Sequence, residues 1–94
     1  MIEVLKPKLT NCKKMNRRYP TTFEIPDEQD LDSLKVGDFV KVIASSERFW
    51  VIIIRTGNDW IGEINNDVEG DHNLKYGDLI QFKRYNICEF CRSD

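Results

Sequence analysis

Apolar positions in this chain crowd into one stretch, Phe49-Trp50-Val51-Ile52-Ile53-Ile54, a continuous run rich in aromatic and β-branched side chains. The run is too short for a membrane span and too β-branched for a favoured helix, so it predicts a central strand covered on both faces. Period-two alternation places Arg48, Trp50 and Ile52 on one side of that strand. Thr56-Gly57-Asn58-Asp59 then predicts a hairpin turn, and Trp60-Ile61-Gly62-Glu63-Ile64 a returning strand in which Gly62 marks a bend or a close backbone approach.

A second pattern is an internal echo. Leu34-Lys35-Val36-Gly37-Asp38-Phe39-Val40-Lys41-Val42 is matched by Leu74-Lys75-Tyr76-Gly77-Asp78-Leu79-Ile80-Gln81-Phe82. Each phrase has an apolar anchor, a Lys, a Gly able to take positive φ, an Asp, and a strand whose alternate residues face the core. One pair of phrases does not make a solenoid, so they predict two turn-and-strand units in one sheet. Upstream, Pro26 with Asp27, Glu28 and Asp30 predicts the start of a short helix, with Leu31 and Leu34 spaced to touch one core face. Ile87 and Phe90 are set to plug one end of that core. The sum is a mainly β, α+β chain with one short helix and about five strands in a small, strongly curved sheet or open barrel.

Length and charge refine this picture. At 94 residues, 40% hydrophobic and 32% charged, the chain supports one small core and one domain. The division is a basic N-terminal arm over 1–18, with a short strand at 2–5, and a β-rich domain over 19–94. Residues 1–20 carry six basic side chains against one acidic, whereas 21–34 carry five acidic and no basic. The arm is therefore suited either to pairing within the molecule or to meeting a polyanion outside it. No apolar run reaches membrane-span length and the first residues lack the apolar stretch of a secretory signal, so the expected setting is cytoplasmic, with no membrane association. Three cysteines without an export signal then predict reduced thiols rather than a disulfide framework.

Candidate chemistry is sparse. Cys88-Glu89-Phe90-Cys91 has the spacing of half a zinc site or a redox pair, and Cys12 with His72 would complete a ligand set, but nothing in the sequence brings these residues together. His72, the one histidine, reads as a solvated loop residue. No nucleophile elbow, phosphate-binding loop or dinucleotide fingerprint occurs, so neither a catalytic residue nor a cofactor or metal is expected and the chain is read as non-enzymatic. Contact residues for a protein partner are sought at Glu47 and Arg48 beside Trp50, at Trp60 next to its turn as an exposed indole, and in the polar loop Asn65-Asn66-Asp67. Trp50 itself reads first as the largest core residue. Lys13, Lys14, Arg17 and Arg18 are the candidate nucleic-acid contacts of an alternative reading, against which the acidic overall balance weighs; an unrecognised enzyme is a third.

Short phrases ordered along the chain complete the reading: Phe23-x-Ile25-Pro26, Leu34-x-x-Gly37-Asp38-x-Val40-Lys41, Glu47-Arg48-x-Trp50-Val51, Gly62-x-Ile64-x-Asn66-Asp67, Gly77-Asp78-x-Ile80-x-Phe82 and Ile87-x-Glu89-Phe90. In order and spacing the segment from Tyr19 to Phe90 resembles the YegJ-like uncharacterised bacterial domains, a family classed as a domain of unknown function. The resemblance implies a single β-rich domain and no assigned activity.

Overall fold

The computed structural model describes residues 3–67 and 73–93. The apolar run forms the heart of its sheet. Strand β3 is Glu47–Arg55, and it pairs antiparallel with Phe39–Ala44 (β2) on one side and with Trp60–Ile64 (β4) on the other. Leu79–Phe82 (β5) extends the sheet beyond β4, and Val4–Leu5 (β1) lies parallel to β5 at that edge. Glu89–Cys91 (β6) closes the opposite edge against β2. Among the described residues the order is β1-β5-β4-β3-β2-β6, six strands rather than about five, and the two edge strands do not meet, so this sheet is not closed into a barrel.

One face of the sheet is the core. Val40, Val42 and Ala44 of β2, Phe49, Val51 and Ile53 of β3, Trp60 and Ile64 of β4, and Ile80 and Phe82 of β5 are all buried there. Leu31, Leu34, Leu74 and Ile87 cover them, with Leu5, Leu9 and Phe90 packed at the margin. Full burial of such side chains contributes about 1.5 to 3 kcal/mol each, and this single cluster is where that term is concentrated. Gly62 is required by the packing: a Cβ there would lie 2.3 Å from Val51 Cγ1 and 3.0 Å from the Ile52 carbonyl oxygen.

The expectation that the apolar run is covered on both faces is corrected. Phe49, Val51 and Ile53 point into the core, but Trp50 and Ile52 on the reverse side are only half-buried. Pairing between β3 and β4 slips between Ile53 and Arg55, and Ile54 is left 43% exposed at the irregularity. A β-bulge re-aims side chains, and here Arg55, which strict alternation would send into the core after Ile53, is exposed instead and pairs with the outward Ile61.

The echoed phrases become two turns of the same design. In the first, Asp38 accepts the Lys35 N–H at 3.1 Å, and Gly37 and Asp38 exchange backbone hydrogen bonds of 2.9 Å with Ile53. In the second, Asp78 accepts the Lys75 N–H at 3.1 Å, and Gly77 and Asp78 exchange bonds of 2.9 Å with Ile64. Gly37 and Gly77 take φ of 99° and 89°, a region costly for residues with a Cβ. Each turn thus docks on the strand next to the one it starts.

Among the described residues two short helices replace the single one expected. Glu28–Asp32 (α2) begins where Pro26 and Asp27 predict, with the Asp27 side chain accepting the Asp30 N–H at 2.8 Å, and it buries Leu31. Cys12–Arg18 (α1) lies in the basic arm, capped by the Asn11 side chain on the Lys14 N–H at 2.9 Å. Arg17 and Arg18 sit in its last turn, where the helix dipole favours cations. Only Cys12 of this helix is buried, so no apolar periodicity announced it. The arm is joined to the rest by β1, by the Thr10 N–H donating to the Ile43 carbonyl at 2.9 Å, and by an ion pair of 3.2 Å between Lys13 and Glu28. That pair meets the acidic segment in the intramolecular contact the charge distribution allows. Arg84, in a 3₁₀ turn at Arg84–Asn86, adds ion pairs of 2.7 Å to Glu28 and 2.6 Å to Asp32.

Candidate binding face

The reverse side of the sheet carries the candidate site. Register aligns Cys91, Phe39, Ile52, Glu63, Leu79 and Val4 as one row across all six strands. In the neighbouring row Glu89, Lys41 and Trp50 lie side by side. The first row is therefore largely apolar, with Glu63 as its charge, and the second is charged and aromatic.

Around Trp50 the geometry is specific. Its indole is not a core residue, which corrects that reading: alternation with the buried Phe49 and Val51 turns it outward, where it is half-buried. Lys41 Nζ lies 4.7 Å from the ring centroid and 3.0 Å from Glu89 Oε2, so one ammonium serves both a cation–π contact and an ion pair. Arg48, two residues earlier on the same side, is exposed and holds its guanidinium carbon 5.9 Å from the Phe23 ring. Glu47 starts β3 and is half-buried.

The two segments singled out in the sequence converge here. β4 ends at Ile64, and beyond it the Asn65 N–H donates to the Trp50 carbonyl at 2.9 Å while the Asn66 side-chain oxygen accepts the Trp50 N–H. Asn66 thereby continues the ladder with a side chain where the strand has stopped. Its amide donates to the Asp67 carbonyl at 2.9 Å, and Tyr76, 60% exposed, donates its hydroxyl to Asn65 Oδ1 at 3.2 Å. Lys41, Phe23 and Tyr76 belong to this surface and were not singled out by sequence. Lys41 was findable, since it stands between Val40 and Val42 and must point away from the core.

Trp60 is a correction. It is 3% exposed and packs on Phe82 with ring centroids 6.0 Å apart, because it falls on the same strand face as Gly62 and Ile64. Proximity to a turn suggested exposure, but the face decided it. The indole available for contact is Trp50.

The basic residues lie elsewhere. Lys13 is engaged with Glu28, whose carboxyl is held below the ordinary glutamate range by the hydrogen bond from Arg84 and then by that from Lys13. Lys14, Arg17 and Arg18 are exposed on α1.

The cysteines are a further correction. Cys12 and Cys88 form a disulfide, leaving Cys91 as the free, exposed cysteine, so the expectation of three reduced thiols does not hold. The fold brings the N-terminus of α1 against the segment entering β6, a proximity that cannot be read from a separation of 76 residues. Among the described residues no three His, Cys, Asp or Glu side chains cluster to hold a metal, and His72 lies outside those residues. No described helix is long and apolar enough to cross a membrane. No family model, curated protein or solved structure matches the chain.

Proposed function

We propose that this chain is a non-catalytic interaction module that docks a protein partner on the outer side of β2 and β3. The observation that carries this reading is the outward Trp50, flanked by Lys41 and Arg48 and bordered by Asn65 and Asn66. A rigid indole gives large contact area at low entropic cost, and Trp and Arg are the residue types that dominate binding energy at protein interfaces. Here both are carried on a strand fixed by pairing on each side, so the surface is organised before a partner arrives. The likeness to the YegJ-like domains belongs to the same proposal and adds no activity to it.

The test is affinity capture from native lysate with the tagged full chain, comparing wild type with Arg48→Glu and Trp50→Ala on the face and Arg18→Glu on α1. The expected result is a protein lost with the two face variants and retained with the helix variant. Arg48 is exposed, so its reversal leaves folding intact and keeps the comparison meaningful if Trp50→Ala destabilises the sheet. Recovery of nucleic acid that disappears with Arg18→Glu alone would move the function to the basic helix, and turnover of a small molecule insensitive to the face variants would make the chain an enzyme.

A further inference from the structure

The disulfide between Cys12 and Cys88 is unsymmetrical toward solvent. Cys12 has no exposed surface, whereas Cys88 is half-buried and forms part of the wall of two adjoining depressions. One is a cleft of about 80 Å³ that Phe23, Lys41 and Arg48 also line. The other is a groove of about 360 Å³ past Pro26 and Phe90, and Glu24 and Glu89 border both. Thiol–disulfide exchange depends on which sulfur a thiolate can reach, and here that sulfur is Cys88 Sγ. Within the lining Lys41 and Glu89 pair with each other at 3.0 Å, while Arg48 and Glu24 offer one further charge of each sign, a pattern that suits a small molecule bearing both carboxylate and ammonium groups.

From this geometry we propose that Cys88 is the attacked sulfur of a thiol–disulfide exchange site for a small zwitterionic thiol of the glutathione type. The thiolate of the small molecule bonds to Cys88 Sγ, the bond to Cys12 breaks, and the electron pair leaves on Cys12 Sγ. Cys12 then takes up the proton that the small thiol released. The Asn86 carbonyl oxygen, 3.4 Å from Cys12 Sγ and 3.6 Å from Cys88 Sγ, accepts the new S–H. A second thiolate attacks the small-molecule sulfur of the adduct, releasing the small-molecule disulfide and freeing Cys88. Two small thiols are oxidised to one disulfide while the protein disulfide is reduced to two thiols, and the oxidised small molecule drives the same steps in reverse. Because Cys12 begins α1 and Cys88 leads into β6, the exchange joins or releases the N-terminal segment and the sheet edge.

The experiment uses the full chain with the exposed Cys91 replaced (Cys91→Ser), equilibrated with reduced and oxidised glutathione at set ratios, acid-quenched, and alkylated in denaturant for mass spectrometry. No alkylated cysteine is expected in oxidising mixtures and two in reducing ones. Adding Cys12→Ser should give one glutathione adduct per chain, mapped to Cys88. With Cys88→Ser instead, Cys12 should stay unmodified in the native protein and react once denaturant is added. Two alkylated cysteines at every ratio would show that the bond does not form, and equal native modification of Cys12 and Cys88 would show that access does not select the sulfur. Either result overturns the proposal, and the first readout does not depend on the Cys12 or Cys88 variants folding.

Discussion

Asp38 is a fully buried carboxylate, and its surroundings explain why the first of the two matched turns is the more demanding. Ser93 donates its N–H and hydroxyl to Oδ1 at 3.2 and 3.3 Å, Lys35 donates its N–H to Oδ2, and the Lys35 ammonium lies 3.9 Å away. Burial works against the charge, but these donors outweigh it and hold the carboxyl below the ordinary aspartate range. A carboxyl whose folded pKa is depressed contributes stability that is present above its unfolded pKa and is lost as pH falls through the folded one. Acid should therefore weaken the wild type through this residue. Asp38→Asn should be less stable near neutrality by about 2 kcal/mol, since an amide would face donors with a donor, and should show a flatter decline in acid. Denaturant midpoints measured from pH 7 downwards check both statements. Asp78→Asn, in the half-buried second turn, should lose less.

At the scale of elements, β3 separates what hydrophobicity announces from what packing uses. Ile53 has no exposed surface, whereas Ile52 is half-buried on the outer side between Phe39 and Glu63. Ile53→Ala should cost roughly 2 to 5 kcal/mol, and Ile52→Ala clearly less, about 1 kcal/mol. Equal losses in thermal melts would mean that the outer face is covered as fully as the core. The connection between β2 and β3 shows a different limit of pattern reading. Ser45 and Ser46 hold φ of 49° and 70° in the two-residue loop, a conformation usually signalled by Asn-Gly. Two serines carry no such signal, and the tightest hairpin of the fold was silent in the sequence.

At the scale of the whole molecule, the described part of the N-terminal segment is held by unlike devices, among them the parallel pairing of β1 with β5, the backbone hydrogen bond from Thr10 to Ile43, the ion pair from Lys13 to Glu28, and the disulfide from Cys12 to Cys88. The ion pair is exposed and adds little, while a disulfide typically contributes about 2 to 4 kcal/mol. Reductant should therefore lower the melting temperature, and deletion of residues 1–18 should lower it further because the edge pairing and the buried Cys12 go with it. A deletion variant as stable as the reduced full chain would show that β1 contributes nothing. Chelator should leave the melting curve unchanged.

What the sequence determined by itself was local and periodic. The apolar run from Phe49 to Ile54 specifies a strand by its brevity and its β-branched and aromatic content, and the alternating phrases at Phe39–Val42 and Leu79–Phe82 do so because burial of one face selects period two. Positive φ needed a glycine at Gly37 and Gly77, and Asp27 marked the start of α2 through its own side chain. Strand order, the parallel placement of β1, the face on which each tryptophan lies and the meeting of Cys12 with Cys88 were decided only by the tertiary structure. Each depends on contacts between residues far apart in the chain, and Trp50 and Trp60, alike in composition and both beside apolar neighbours, are separated only by which side of the sheet the register assigns them.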